Sequence, residues 1–202
     1  MKQLFFALIA FVAAGTVSAQ ITTITPGASA PAFALKNIDN KTVSFTDYPS
    51  AKGYIVVFTC NTCPVAKAYE DRIITLHTKY APLGFPVIAI NSNDPSLSTG
   101  DTFEQMQQRA KEKNFSFAYL YDEGQNTTNA YGARNTPHIF LVRRSPEKNI
   151  VVYTGAIDND PENNKSDKDN FLEKAITAVM QDKMPEPAVT KAIGCSIKRK
   201  GS

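Results

Sequence analysis

The stretch Val56–Arg72, VVFTCNTCPVAKAYEDR, carries an apolar β-branched segment straight into a helical repeat and sets two cysteines, Cys60 and Cys63, at the junction. Residues 54–60, YIVVFTC, are an almost unbroken β-branched and aromatic run. Such a run fits a strand buried on both faces, the kind found in a parallel sheet. From Val65 the period changes. Val65, Tyr69, Ile73, Leu76 and Tyr80 mark one face of a helix, Lys67, Glu70, Asp71 and Lys79 the other, and Pro82 and Gly84 end it. Pro64 suits the first turn, where a missing N–H had no intrahelical partner to lose.

This placement gives the cysteine pair its chemistry. The first N–H groups of a helix lack intrahelical partners and favour an anion, and helix N-termini and Cys-x-x-Cys spacing both lower a thiol's pKa. Cys60, at an exposed entrance to the helix, would attack a substrate disulfide as thiolate, and Cys63, in the first turn, would resolve the mixed disulfide. Two other roles compete. Zinc would need two further ligands, but there is no second cysteine pair, and the remaining candidates are His77 and His138, so no metal is expected. A purely structural disulfide between Cys60 and Cys63 would close too short a loop to stabilise much. Cys195 stands apart near the end, either as a third redox thiol that docks near the pair or as a small buried hydrophobe.

Outward from the pair, strands and helices alternate. "FALKNIDNKTVSF" reads as two short strands about a turn, "FPVIAINSN" as a second buried strand, and Asp101 or Thr102 as the cap of a helix that runs to about Asn114. "FAYLYD" is a third buried strand, followed by a short helix to Tyr131 that Gly132 stops. "PHIFLVRR" and "NIVVYTGAI" form a hairpin, and a last helix near Phe171–Gln181 turns Leu172, Ala175, Ile176 and Val179 inward. Together they predict a mixed α/β sheet with helices on both faces and an added N-terminal β-hairpin. From about Met184 the Pro-containing tail shows no period.

Of 202 residues, 43% are hydrophobic and 20% charged, the balance of an ordinary folded domain rather than a disordered chain. The formal net charge of +3 is too small to argue for a nucleic-acid partner. Residues 1–19, MKQLFFALIAFVAAGTVSA, have one lysine, a short apolar run and small residues before Gln20. This is the layout of a signal peptide, too short for a spanning anchor of roughly 20 apolar residues. The expectation is a single domain over 20–202, exported to a bacterial periplasm or secreted. No stable membrane insertion should remain after cleavage, and disulfides can persist there.

"GASAPAFAL", "VVFTCNTCP", "AINSND", "YLYDE", "AYGARNTPHIFLV" and "YTGAID" together resemble the thioredoxin-like redoxins of the alkyl hydroperoxide reductase and thiol-specific antioxidant superfamily. The resemblance is nearest to a subgroup with a Cys-Asn-x-Cys-Pro site and a Gly-Cys-Ser-Ile-Lys ending. It implies a thioredoxin-like fold and a thiol-disulfide oxidoreductase without cofactor, whose partners are thiol or disulfide proteins or small thiols, with an electron donor still to be identified. It also implies a cis Pro137 facing the cysteines and a Thr136 backbone free to bond an extended substrate. His138, next in the chain, would lie near Cys60, either as a cation beside the thiolate or facing solvent, and with Cys195 it is an auxiliary candidate.

Against the family pattern, Tyr54–Phe58 contains no buried acid to accept a thiol proton, and Arg199 replaces an aromatic residue in the ending, which puts tail docking in question. Peroxiredoxins are similar in carrying Thr or Ser three residues before the reactive cysteine, whereas Val57 and Cys60 hold those positions here. A thiol peroxidase is therefore the weaker enzyme alternative, and a non-catalytic peptide-binding module the alternative of another class.

Overall fold

The computed structural model describes residues 21–200, so the expected leader and its cleavage point lie outside the described residues. A hairpin of β1 (Leu35–Asn37) and β2 (Thr42–Val43) opens the fold, followed by β3 (Gly53–Thr59), α1 (Pro64–Tyr80) and β4 (Val87–Asn91). Next come α2 (Phe103–Lys113), β5 (Ala118–Tyr121), α3 (Asn126–Tyr131), β6 (Asn135–Thr136), β7 (His138–Arg143), β8 (Ile150–Gly155), α4 (Phe171–Met180) and β9 (Cys195–Ser196). Seven strands make one sheet in the order β2-β1-β5-β4-β3-β7-β8, while β6 and β9 pair separately. β3, β4 and β5 run parallel; β1, β7 and β8 join antiparallel. The mixed sheet and its added hairpin are those of the expected thioredoxin-like fold.

Burial on both faces explains the unbroken apolar run of β3. Ile55 and Val57 pack into one cluster with Tyr69, Ile73 and Leu76 of α1, Met106 of α2 and Leu172 and Ile176 of α4. Their neighbours Tyr54, Val56 and Phe58 pack into the other with Tyr131 of α3, Phe140 and Ile197. Successive side chains of a strand point to opposite faces, so one central strand anchors two cores. Burying a large apolar side chain contributes about 1.5–3 kcal/mol, and the ends of β3 and β4 are thereby fixed as the floor of the site.

Two features depart from the sequence expectation. The tail after Met184, expected without regular structure, contributes β9, which pairs antiparallel with β6. Two-residue strands are too short to leave a period. Glu70, expected on the exposed face of α1, is only 5% exposed, because Arg109 of α2 reaches it with Nε at 2.8 Å and a terminal nitrogen at 2.5 Å. Periodicity reads faces, and a bidentate ion pair lets a carboxylate cross them.

Candidate active site

The end of β3 and the start of α1 place the cysteines. The helix starts at Pro64 with Cys63 as its N-cap, its backbone extended at φ −74° and ψ 122°. Cys60 lies between strand and helix and is 3% exposed, so it does not stand at an exposed entrance: the Thr136 hydroxyl lies 3.2 Å from its sulfur and the Thr62 hydroxyl 4.0 Å. Cys63 is equally buried.

The Thr136–Pro137 peptide bond is cis, and Thr136 touches both sulfurs. Its hydroxyl meets Cys60 Sγ at 3.2 Å, and its carbonyl lies 3.2 Å from Cys63 Sγ. Cys63 is also bonded to Cys195 in a disulfide with Cα atoms 5.9 Å apart, which leaves Cys60 as the free cysteine. β9 brings Cys195 there by pairing Cys195 with Thr136 and Ser196 with Asn135. Despite Arg199, the ending is docked. Arg199 Nε donates to Asn129 Oδ1 at 3.1 Å, and a terminal nitrogen of Arg199 donates to the Ala133 carbonyl.

The sequence offers Asp101 only as a candidate helix cap, a role that Thr102 fills. The Asp101 side chain is fully buried. One oxygen accepts the Asn61 backbone N–H at 2.6 Å and Asn91 Nδ2 at 3.0 Å; the other accepts from Thr62 Oγ1, Asn93 Nδ2 and Ser98 Oγ at 2.6–3.0 Å. Both residues between the cysteines are thus tied to one carboxylate. Tyr119 adds a bond from its hydroxyl to Asn61 Oδ1 at 2.8 Å, and burial, with the neighbouring Asp101 and Cys60 charges, pushes its pKa far up, so it stays a donor. "NSND" and "GD" signal turns, and only the fold shows that they converge beneath the cysteine loop.

His138 takes neither role expected of it. It is buried rather than solvent-facing, and burial, aided by the Arg134 charge, pushes its pKa down to about 4. The Arg134 N–H donates to its Nδ1 at 3.2 Å, which puts the proton on Nε2, 3.1 Å from Thr154 Oγ1. A neutral ring holding two strands together is no cation for a thiolate. The other histidine, His77, is half-buried on α1 and accepts the Val87 N–H at 3.2 Å.

The strand ahead of the cysteines lacks an acid, but α1 brings one in. Thr59, Cys60, Glu70 and Tyr119 line the same small internal cavity, closed by Phe115 and Phe117. Among the described residues no cluster of three His, Cys, Asp or Glu side chains is arranged to hold a metal, and no helix is long and apolar enough to cross a membrane.

The AhpC/TSA family profile matches residues 26–155, from the approach to β1 through the last residue of the sheet. The chain belongs to the AhpC/TSA family. Among relatives of this AhpC/TSA protein, the thiol-disulfide oxidoreductase ResA of Halalkalibacterium halodurans is 26% identical over 131 residues, 65% of this chain and 69% of that one. An uncharacterized conserved protein from Geobacillus kaustophilus superposes with a TM-score of 0.79 at 36% identity, over 88% of this chain and 93% of that one. A hypothetical protein from Sinorhizobium meliloti 1021 does so with a TM-score of 0.82 at 30% identity, over 90% and 98%. Both structural alignments cover more of this AhpC/TSA chain than the 26–155 of the family profile.

Proposed function

We propose that the protein is an exported thiol-disulfide oxidoreductase that exchanges disulfides with protein or small thiol partners through Cys60 and Cys63. What carries this is the meeting of both sulfurs on Thr136 at the N-cap of α1. The ResA relatives are named for the same reaction, the subgroup-like Cys-Asn-x-Cys-Pro site supports it, and the leader-like residues 1–19 support export.

Within the pair, Cys63 is the sulfur that meets the partner and Cys60 the one that resolves, the reverse of the order read from sequence. Cys63 is the sulfur that Cys195 reaches from the β6 edge, and although its side chain takes no cap hydrogen bond, its place at the N-cap of α1 lets the helix dipole favour a thiolate there. The Cys63 thiolate attacks one sulfur of the partner disulfide and expels the other as a thiolate. Cys60 then attacks Cys63 Sγ, the second partner sulfur leaves, and a Cys60–Cys63 disulfide remains. Glu70, which shares the cavity of Cys60, is the carboxylate positioned to take the Cys60 proton. An electron donor resets the pair in the reducing direction; reversal of the same steps oxidises a partner dithiol. The Thr136 and Pro137 edge aligns an extended partner segment.

Mixed-disulfide trapping tests this directly. In a Cys195→Ser background, Cys60→Ser should accumulate a covalent adduct with a cysteine-containing peptide disulfide and Cys63→Ser should not. Absence of adduct from both variants, with no turnover by the background protein under dithiothreitol, would sink the reading.

A further inference from the structure

Cys195 has the attributes of a bound partner cysteine. Its backbone runs antiparallel to β6 opposite Thr136, its sulfur is bonded to Cys63, and it packs in one cluster with Cys60, Cys63 and Ala66. Asn135 Nδ2 donates to the Gly194 carbonyl at 3.0 Å. Gly194 itself has φ +157°, and a Cβ there would run into the Thr136 carbonyl, so the approach depends on the missing side chain. Beyond the cysteine, the Ile197 N–H donates to the Arg134 carbonyl at 3.1 Å, and the Lys198 carbonyl accepts from Asp94 N–H and Gln125 Nε2 at 2.9 and 2.8 Å. Ahead of it, Lys191 and Ile193 are exposed.

We propose that Cys195 is a third redox thiol and that β9 is an internal occupant of the partner's place, exchanged against the Cys60–Cys63 disulfide. The proposal rests on the oxidoreductase reading above and adds to it a closed state. Cys60 gives its proton to the Glu70 carboxylate that shares its cavity, and its thiolate attacks Cys63 Sγ. The Cys60–Cys63 bond forms as the Cys63–Cys195 bond breaks, and Cys195 leaves as a thiolate that takes up a proton. No electron is gained or lost, so the step needs no oxidant or reductant. Its result is positional. While the tail disulfide stands, Cys63 is capped and the β6 edge is occupied; after exchange the tail can lift, and the edge is open to an extended polypeptide with a cysteine in the register of Cys195.

A thiol trap reads the exchange in the full chain. Oxidised protein freed of reductant is incubated with N-ethylmaleimide, acid-quenched and mapped by peptide mass spectrometry, with Cys195→Ser oxidised and mapped alongside. Because Cys60 is buried, the expected product is maleimide on Cys195 together with a Cys60–Cys63 disulfide, accumulating with time. A Cys63–Cys195 bond that persists while Cys195→Ser forms Cys60–Cys63 makes the tail a static clamp and overturns the exchange, leaving the redox pair intact. Failure of Cys195→Ser to form Cys60–Cys63 overturns both.

Discussion

The Asp101 carboxylate accepts the Asn61 backbone N–H at 2.6 Å across forty positions of chain, so a residue on the approach to α2 sets the conformation of the loop between the two cysteines. Its second oxygen holds Thr62 by its hydroxyl at 2.8 Å. Asp101→Asn keeps the shape but turns a donor toward groups that already donate. The expected outcome is a stability loss of about 2–4 kcal/mol in urea unfolding, with disulfide exchange slowed by roughly tenfold or more as the sulfurs lose their alignment. Unfolding midpoints and peptide-disulfide turnover measure the two effects separately.

Replacing Gly194 by Ala sets a methyl group against the Thr136 carbonyl. The expected cost of about 1–2 kcal/mol falls on tail docking rather than on the sheet, a shift of roughly 5- to 30-fold toward the undocked tail. Trypsin cleavage after the exposed Lys191 should accelerate accordingly, while the unfolding midpoint of the reduced protein moves far less.

His138 predicts an acid-side weakness. Its pKa falls from the ordinary histidine value to about 4 on burial, so the unfolded chain binds the proton more readily than the folded one. Stability attributable to this ring is complete above about pH 6.5 and drains as pH falls toward 4, by roughly 3 kcal/mol in all. Chemical denaturation at pH 7.5 and pH 4.5, for the parent and for His138→Gln, should show the parent losing more than the variant by about that amount.

The Glu70–Arg109 pair crosses from α1 to α2 with two hydrogen bonds. Arg109→Ala leaves a buried carboxylate without its main partner and should cost about 3 kcal/mol, somewhat softened by Lys113 Nζ at 4.0 Å. Adding Glu70→Gln to that variant should recover part of the loss. A double-mutant cycle by thermal or urea unfolding gives the coupling.

Long periodic segments were legible in the sequence. The apolar run of β3, the 3.6-residue face of α1 and the inward set of α4 each repeat a burial pattern several times, and each lies where its pattern put it. The helix stop at Gly132 was legible too, because it adopts left-handed backbone that glycine tolerates, whereas α1 ends at Tyr80 and the left-handed Gly84 closes the short 3-10 turn Ala81–Leu83 that follows it. What escaped depends on contacts between distant residues. Nothing local in "PSLSTGD" announces that Asp101 will collect five donors, and nothing in "IGCSIK" says which cysteine Cys195 will find. Cys63 and Cys195 are 132 residues apart, and only the β6–β9 pairing brings them together.

That separation has a consequence for how the chain matures. A disulfide between Cys63 and Cys195 closes a loop of 132 residues, which in the chain-entropy picture disfavours the unfolded ensemble by about 5 kcal/mol. Cys60 and Cys63 close almost no loop. In a newly made chain under oxidising conditions, nearness in sequence therefore favours the short bond first, and the long one becomes favourable only once the last strand has found its place. The bond that finally forms is a record that folding has reached the end of the chain.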